Sequence, residues 1–116
     1  MSTTIDPAAK TKHLFERAVR HHVAGRLDEA AQLYRETIAM APDFAEACNN
    51  LSAILGERGE TARALALAER AARIKPDYGE AHHNVGLLLT LGPSSGRLSL
   101  VRRGLPVRSE SRRLGQ

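Results

Sequence analysis

Residues 42–59 read Pro42-Asp43-Phe44-Ala45-Glu46-Ala47-Cys48-Asn49-Asn50-Leu51-Ser52-Ala53-Ile54-Leu55-Gly56-Glu57-Arg58-Gly59, and much of this stretch returns at an offset of 34 positions. Pro42-Asp43 recurs as Pro76-Asp77, and Glu46, Ala47 and Asn50 recur as Glu80, Ala81 and Asn84. Sliding backwards by the same offset pairs Gly59 with Gly25 and Ala64 with Ala30. Glycine and proline punctuate backbone structure, so their recurrence at one offset marks a repeated structural unit and not a shared composition.

Within a unit, apolar residues recur at spacings of three and four on both sides of the glycine. Ala47, Leu51, Ile54 and Leu55 precede Gly59, and Ala64, Leu65, Ala68, Ala71 and Ile74 follow it. That period predicts two amphipathic helices joined by a tight turn. Pro42 and Pro76 bias the residue before them away from helical conformation, which ends the preceding helix. Asp43-Phe44-Ala45-Glu46 and Asp77-Tyr78-Gly79-Glu80 share Asp-x-x-Glu spacing, predicting an N-cap acceptor with a reciprocal carboxylate at two helix entries. Asp6-Pro7 combines an N-cap residue with an N1 proline and predicts a first helix beginning near residue 7.

A chain of 116 residues, 42% hydrophobic and 26% charged, fits one small domain and excludes an enzyme that needs two. Aromatic content is 3% with no Trp, so the core is expected to be Ala, Leu, Ile and Val, which favours helix packed on helix. The formal charge of +4 is unevenly placed. Residues 93–116 hold Arg97, Arg102, Arg103, Arg108, Arg112 and Arg113 against Glu110 alone, which leaves 1–92 nearly neutral. Cys48, the single cysteine, excludes an intramolecular disulfide and a cysteine-based zinc site, and fits a reducing compartment. The first residues lack the pattern of a secretory signal. The longest apolar run, Val85 to Leu91, is interrupted by Gly86 and Thr90 and is too short for a bilayer. The expectation is a cytoplasmic protein with no membrane span.

On these residues the chain resembles the tetratricopeptide repeat (TPR) proteins. The resemblance implies an all-α fold of antiparallel helix pairs stacked in a right-handed superhelix. It covers two full repeats, 11–44 and 45–78, and the first helix of a third, 79–92, after a lead-in at 1–10. In the family's pattern the second unit packs through Cys48, Leu51, Ser52 and Leu55, the third through His82, Val85, Gly86 and Leu89, and the first through Leu14, Arg17, Ala18 and His21. Ala30 and Ala64 stand where the helices of a pair touch, Tyr34 and Ala68 at the aromatic position, and Pro42 and Pro76 at the close. Physics supports the stacking independently: a helix pair cannot bury both of its faces, and small residues let backbones approach.

After Leu91 the sequence runs Gly92-Pro93-Ser94-Ser95-Gly96 where a second helix is due. Residues 93–116 are expected to be a mostly disordered basic tail. Three outcomes are open for the third unit's apolar helix: self-association through Val85, Leu88, Leu89 and Leu91, fraying in a monomer, or the tail folding back as a cap. The change in character at residue 92 also fits truncation or a reading-frame change in a longer repeat protein.

The resemblance further implies a concave surface lined by the first helix of each unit. Its residues here are Lys12, Phe15, Glu16, Val19, His22 and Val23, then Glu46, Asn49, Asn50, Ala53, Gly56 and Glu57, then Glu80, His83, Asn84, Leu87, Thr90 and Leu91. Asn50 and Asn84 occupy equal positions, and an amide offers both donor and acceptor to a peptide main chain; the alternative is that the two amides cap or order neighbouring backbone and bind nothing. That arrangement, and the run from Pro42 to Leu51, resemble the asparagine ladders of O-linked N-acetylglucosamine transferase arrays, although Glu16 interrupts the ladder. Family members that clamp acidic chaperone tails use Lys and Asn where this chain has Phe15, Val19 and Glu80. Carboxylates at Glu16, Glu46, Glu57 and Glu80 against Lys12 repel an acidic peptide, so a neutral or basic protein segment is the expected partner. The acidic groove would also attract the arginine tail.

No catalytic arrangement is visible. Adjacent histidines, His21-His22 and His82-His83, project about 100° apart on a helix and do not form a metal-binding face; one of each pair is expected to pack. Cys48 falls on a buried seam as a small core residue. The arginines can touch nucleic acid or anionic lipid only non-specifically, since no aromatic residues interleave with them. The sequence thus predicts a non-catalytic adaptor without metal or cofactor that binds protein through its groove, the alternative being a fragment of a longer TPR protein, such as a glycosyltransferase N-terminal array, without independent activity.

Overall fold

The computed structural model describes residues 6–91. They form five helices: α1 (Pro7–Val23), α2 (Leu27–Met40), α3 (Ala45–Glu57), α4 (Thr61–Ile74) and α5 (Gly79–Leu91). No strand occurs among the described residues. The expectations for the tail at 93–116, and for the side chain of Leu91, lie outside them. α1 begins at Pro7, within the stretch read as lead-in.

Two tight turns make the repeat. Gly25 and Gly59 have φ of 85° and 86°, a left-handed conformation that costs a residue with a Cβ about 1 kcal/mol or more. At the first, the N–H of Arg26 reaches the His21 carbonyl (2.9 Å) and that of Gly25 the His22 carbonyl (3.1 Å). At the second, Glu60 reaches Leu55 (2.9 Å) and Gly59 reaches Gly56 (3.1 Å). Both are Schellman closures, which satisfy the last carbonyls of α1 and α3 and reverse the chain. α2 and α4 end at Met40 and Ile74, just ahead of Pro42 and Pro76.

The capping box at the entry of α3 does not form as expected. Phe44, not Asp43, is the N-cap of α3, and no side-chain cap hydrogen bond is made there. Glu46 instead accepts a bond from Lys75 Nζ (2.9 Å), tying the end of α4 to the start of α3. Asp6 does occupy the N-cap of α1 ahead of Pro7, likewise without a side-chain cap bond.

α1 packs on α2, α3 on α4, and the pairs join where α2 meets α3 and where α5 meets α4 and α3. Ala30 and Ala64 are fully buried at the contacts within each pair. α3 lies at the centre: from Ala47 to Gly56 every residue is buried, as expected of a helix enclosed on all sides. Its Leu51, Ile54 and Leu55 join Leu14, Ala18, Leu33, Tyr34 and Leu88 in one core, each large apolar side chain contributing about 1.5–3 kcal/mol by burial.

A helix buried all round must satisfy its polar side chains internally. Ser52 Oγ donates to the Ala64 carbonyl at 2.7 Å, binding α3 to α4. Asn50 Nδ2 donates to the Tyr34 hydroxyl (3.3 Å), which also shares a hydrogen bond with His22 Nδ1 (2.9 Å). Asn84 Nδ2 donates to Asn49 Oδ1 at 2.8 Å, joining α5 to α3. The packing histidine of the first doublet is therefore His22, while His21 is half-buried and Arg17 exposed.

Candidate functional site

α1, α3 and α5 are the first helices of successive units, and each expected groove residue lies on one of them. Lys12, Glu16 and His83 are exposed, and Phe15, Val19, Glu46, Glu80 and Leu87 are half-buried. Asn49, Asn50, Ala53 and Asn84 are not open to a ligand: all four are fully buried. The asparagine ladder is thus corrected. Its amides are turned into the interhelical hydrogen bonds described above, because α3 is packed on every side and an unpaired amide there would cost about 1–3 kcal/mol.

What the face does present is an aromatic cleft. Phe15 from α1 and Phe44 at the entry of α3 pack at a tilt of 34° with ring centroids 4.9 Å apart, and Phe15 leans on Tyr34 at 6.0 Å. Lys12, Phe15, Glu16, Phe44 and Glu46 line an open cleft of about 460 Å³. The two phenylalanines give it an apolar lining, Lys12 and Glu16 border it as exposed charges, and the Glu46 carboxylate beside it is paired with Lys75. Sequence reasoning passed over Phe44, although an aromatic residue recurs at this position as Tyr78. In the next unit Tyr78 is buried and Lys75 Nζ sits 5.1 Å from its ring centroid, so only the first unit's ring opens on the face.

The surface expected for self-association is smaller than the sequence suggests. Leu88 is 1% exposed and belongs to the core, and Val85 is half-buried against it. Leu89 is 64% exposed beside an open hollow of about 580 Å³ that Leu65, Leu88 and the Gly59–Arg63 turn also line. One repeat earlier, Leu55 in the same register is 3% exposed, because α4 covers it.

Cys48 is buried, and burial pushes its thiol above the ordinary value, with Arg70 opposing the shift and Asp43 adding to it. A protonated, enclosed thiol is a packing residue and not a nucleophile. Among the described residues no three His, Cys, Asp or Glu side chains gather to hold a metal ion, and no helix is long and apolar enough to cross a membrane.

Antiparallel helix pairs recurring every 34 residues, closed by glycine turns and enclosing a central helix, define a helical-repeat scaffold. The tetratricopeptide repeat profile matches residues 24–88, more than half of the chain, and the chain belongs to that family. It is 34% identical over 83 residues to a Hsp70-Hsp90 organizing protein of Triticum aestivum, covering 71% of this chain and 14% of that protein. It is 45% identical over 51 residues to a probable biofilm formation methyltransferase, WspC, of Pseudomonas aeruginosa, covering 44% of this chain and 12% of that protein. The chain therefore spans a small part of the length of either relative. Tetratricopeptide repeats are of the kind that serve as protein-interaction scaffolds.

Proposed function

We propose that the chain holds an extended, neutral or basic segment of a partner protein along the face formed by α1, α3 and α5, with the cleft lined by Phe15 and Phe44 as its anchoring pocket. The cleft carries this reading. It is an apolar hollow with charged groups on its rim, the form of a site that seats one side chain of a peptide. The exposed carboxylate of Glu16 sets the preference for positive charge, Glu46 being paired with Lys75, and it is the reason not to carry over the chaperones in the wheat relative's name.

The buried amides weaken the likeness to the glycosyltransferase arrays at the step where it bore on binding. Asn50 and Asn84 act here as interhelical ties, so recognition falls to the aromatic cleft and its rim. The adaptor reading is non-catalytic and, with one buried cysteine, is set in a reducing cytoplasm.

An array of extended peptides of graded charge, probed with the purified chain, tests the proposal. Retention of neutral and basic peptides and loss of acidic ones is expected, and Glu16→Lys, at an exposed position, should reverse the preference. Equal retention at every charge, or no response to Glu16→Lys, would contradict it.

A further inference from the structure

We propose that this chain's own arginine-rich segment is a ligand of its concave face: residues 102–113 lie along the groove and place an arginine side chain in the Phe15–Phe44 cleft. The inference rests on the reading of that face as a peptide site and names its first occupant.

Three observations carry it. The first is chemical fit. A guanidinium is planar, stacks on aromatic rings and pairs with carboxylates through two parallel hydrogen bonds. The cleft offers the Phe15 and Phe44 rings with the exposed Glu16 carboxylate at the rim, Glu46 being held by Lys75. The second is charge. Residues 93–116 contain six arginines and a single glutamate, while the groove positions of the first helices carry Glu16, Glu46, Glu57 and Glu80 against Lys12, the other basic residues of α1, Lys10, Arg17 and Arg20, standing at other positions of that helix.

The third is reach. α1, α3 and α5 alternate with antiparallel partners and so run in one direction, which puts Leu91 and the cleft at opposite ends of the stack. α5 is 13 residues long, about 20 Å at 1.5 Å per residue. Crossing from α5 to the boundary of α1 and α3 adds roughly 15 Å at 8–10 Å per helix spacing, for a diagonal of about 25 Å. An extended chain covers ~3.3 Å per residue, so about eight residues suffice. Arg97 stands too near Leu91 to arrive, whereas Arg102, Arg103, Arg108, Arg112 and Arg113 all lie far enough along the chain.

Tethering makes a weak contact effective. A covalent connection of this length gives a local concentration on the order of 1 mM. A segment whose free affinity is about 0.1 mM would then fill its own groove roughly nine times in ten. A competing partner would see its apparent affinity fall about tenfold. The tail becomes a built-in competitor that admits only ligands able to displace it.

The test uses a fluorescein-labelled peptide of residues 97–113, titrated by anisotropy into the full chain and into a full-length variant with Arg102, Arg103, Arg108, Arg112 and Arg113 all changed to Gln. The expected result is about tenfold tighter peptide binding by the variant, weakening as salt is raised from low to 0.5 M. Adding Glu16→Lys to the variant should remove at least fivefold of that affinity with the far-ultraviolet circular dichroism unchanged. Equal affinity for the two chains would overturn the proposal while leaving the groove open to other peptides. Failure of both chains to bind this peptide would overturn it too, and the charge-graded array would still decide the groove reading separately. A tail-dependent dimer in sedimentation would overturn the assignment to the same chain.

Discussion

Gly25 and Gly59 show how a single residue type sets the repeat. Both hold φ near 85°, and a Cβ built at either meets no atom within 4 Å. The requirement is therefore conformational and not steric crowding. Gly59→Ala should lower stability by about 1 kcal/mol or somewhat more, and Gly59→Asn by less, since Asn tolerates the left-handed region; urea unfolding midpoints would show the order. At Cys48 the folded-state pKa lies above the unfolded one. The associated stability is fully present below the ordinary thiol pKa of about 8.5 and is lost as pH rises through the folded value. Wild type should therefore lose stability relative to Cys48→Ala between pH 7 and pH 10, and parallel curves for the two chains would contradict the assignment. The buried place of Cys48 was legible because its helix seam was. The fate of Asn50 was not, because an amide at a groove position looks the same in sequence whether it faces solvent or turns toward Tyr34.

Helix by helix, the sequence announced its elements well and its caps poorly. Proline and glycine act through backbone geometry alone, so Pro42, Pro76, Gly25 and Gly59 marked boundaries that α2, α3 and α4 respect. The Asp-x-x-Glu signal depends on which of two neighbours takes the N-cap, and Phe44 took it while Glu46 paired with Lys75. The central helix α3 hides its period because it is buried all round, and its polar residues become ties to its neighbours. Tyr34→Phe removes the hydroxyl that Asn50 and His22 share, and should cost about 1–3 kcal/mol with helicity retained at low denaturant. The two leucines in equal register separate covered from uncovered helix. Leu55→Ala should cost about 2–5 kcal/mol, whereas Leu89→Ala should stay within about 0.5 kcal/mol. Chemical denaturation of the two variants checks both. By contrast, the exposed Arg58–Asp28 pair at 2.6 Å bridges the two units yet contributes at most about 1 kcal/mol, as surface pairs do.

At the scale of the whole molecule, the 34-residue period was the most readable feature, since one offset repeats both the punctuation and the core. It led to the family before any side chain was placed. The proposed binding face was half readable. Charged rim positions such as Lys12 and Glu16 fell where the family pattern puts them, but the pocket itself needs Phe15 and Phe44 from different helices to meet, and no local pattern encodes that meeting. This meeting creates the proposed anchoring pocket for a basic segment. It is tested most directly by assigned amide spectra of the isotopically labelled chain, in its arginine-to-glutamine tail form, during titration with a short arginine-containing peptide. Shifts concentrated at Lys12, Phe15, Glu16, Phe44, Ala45 and Glu46, and saturating with peptide, are the predicted result. Shifts confined to the α2 and α4 surface, or to the hollow beside Leu89, would contradict it.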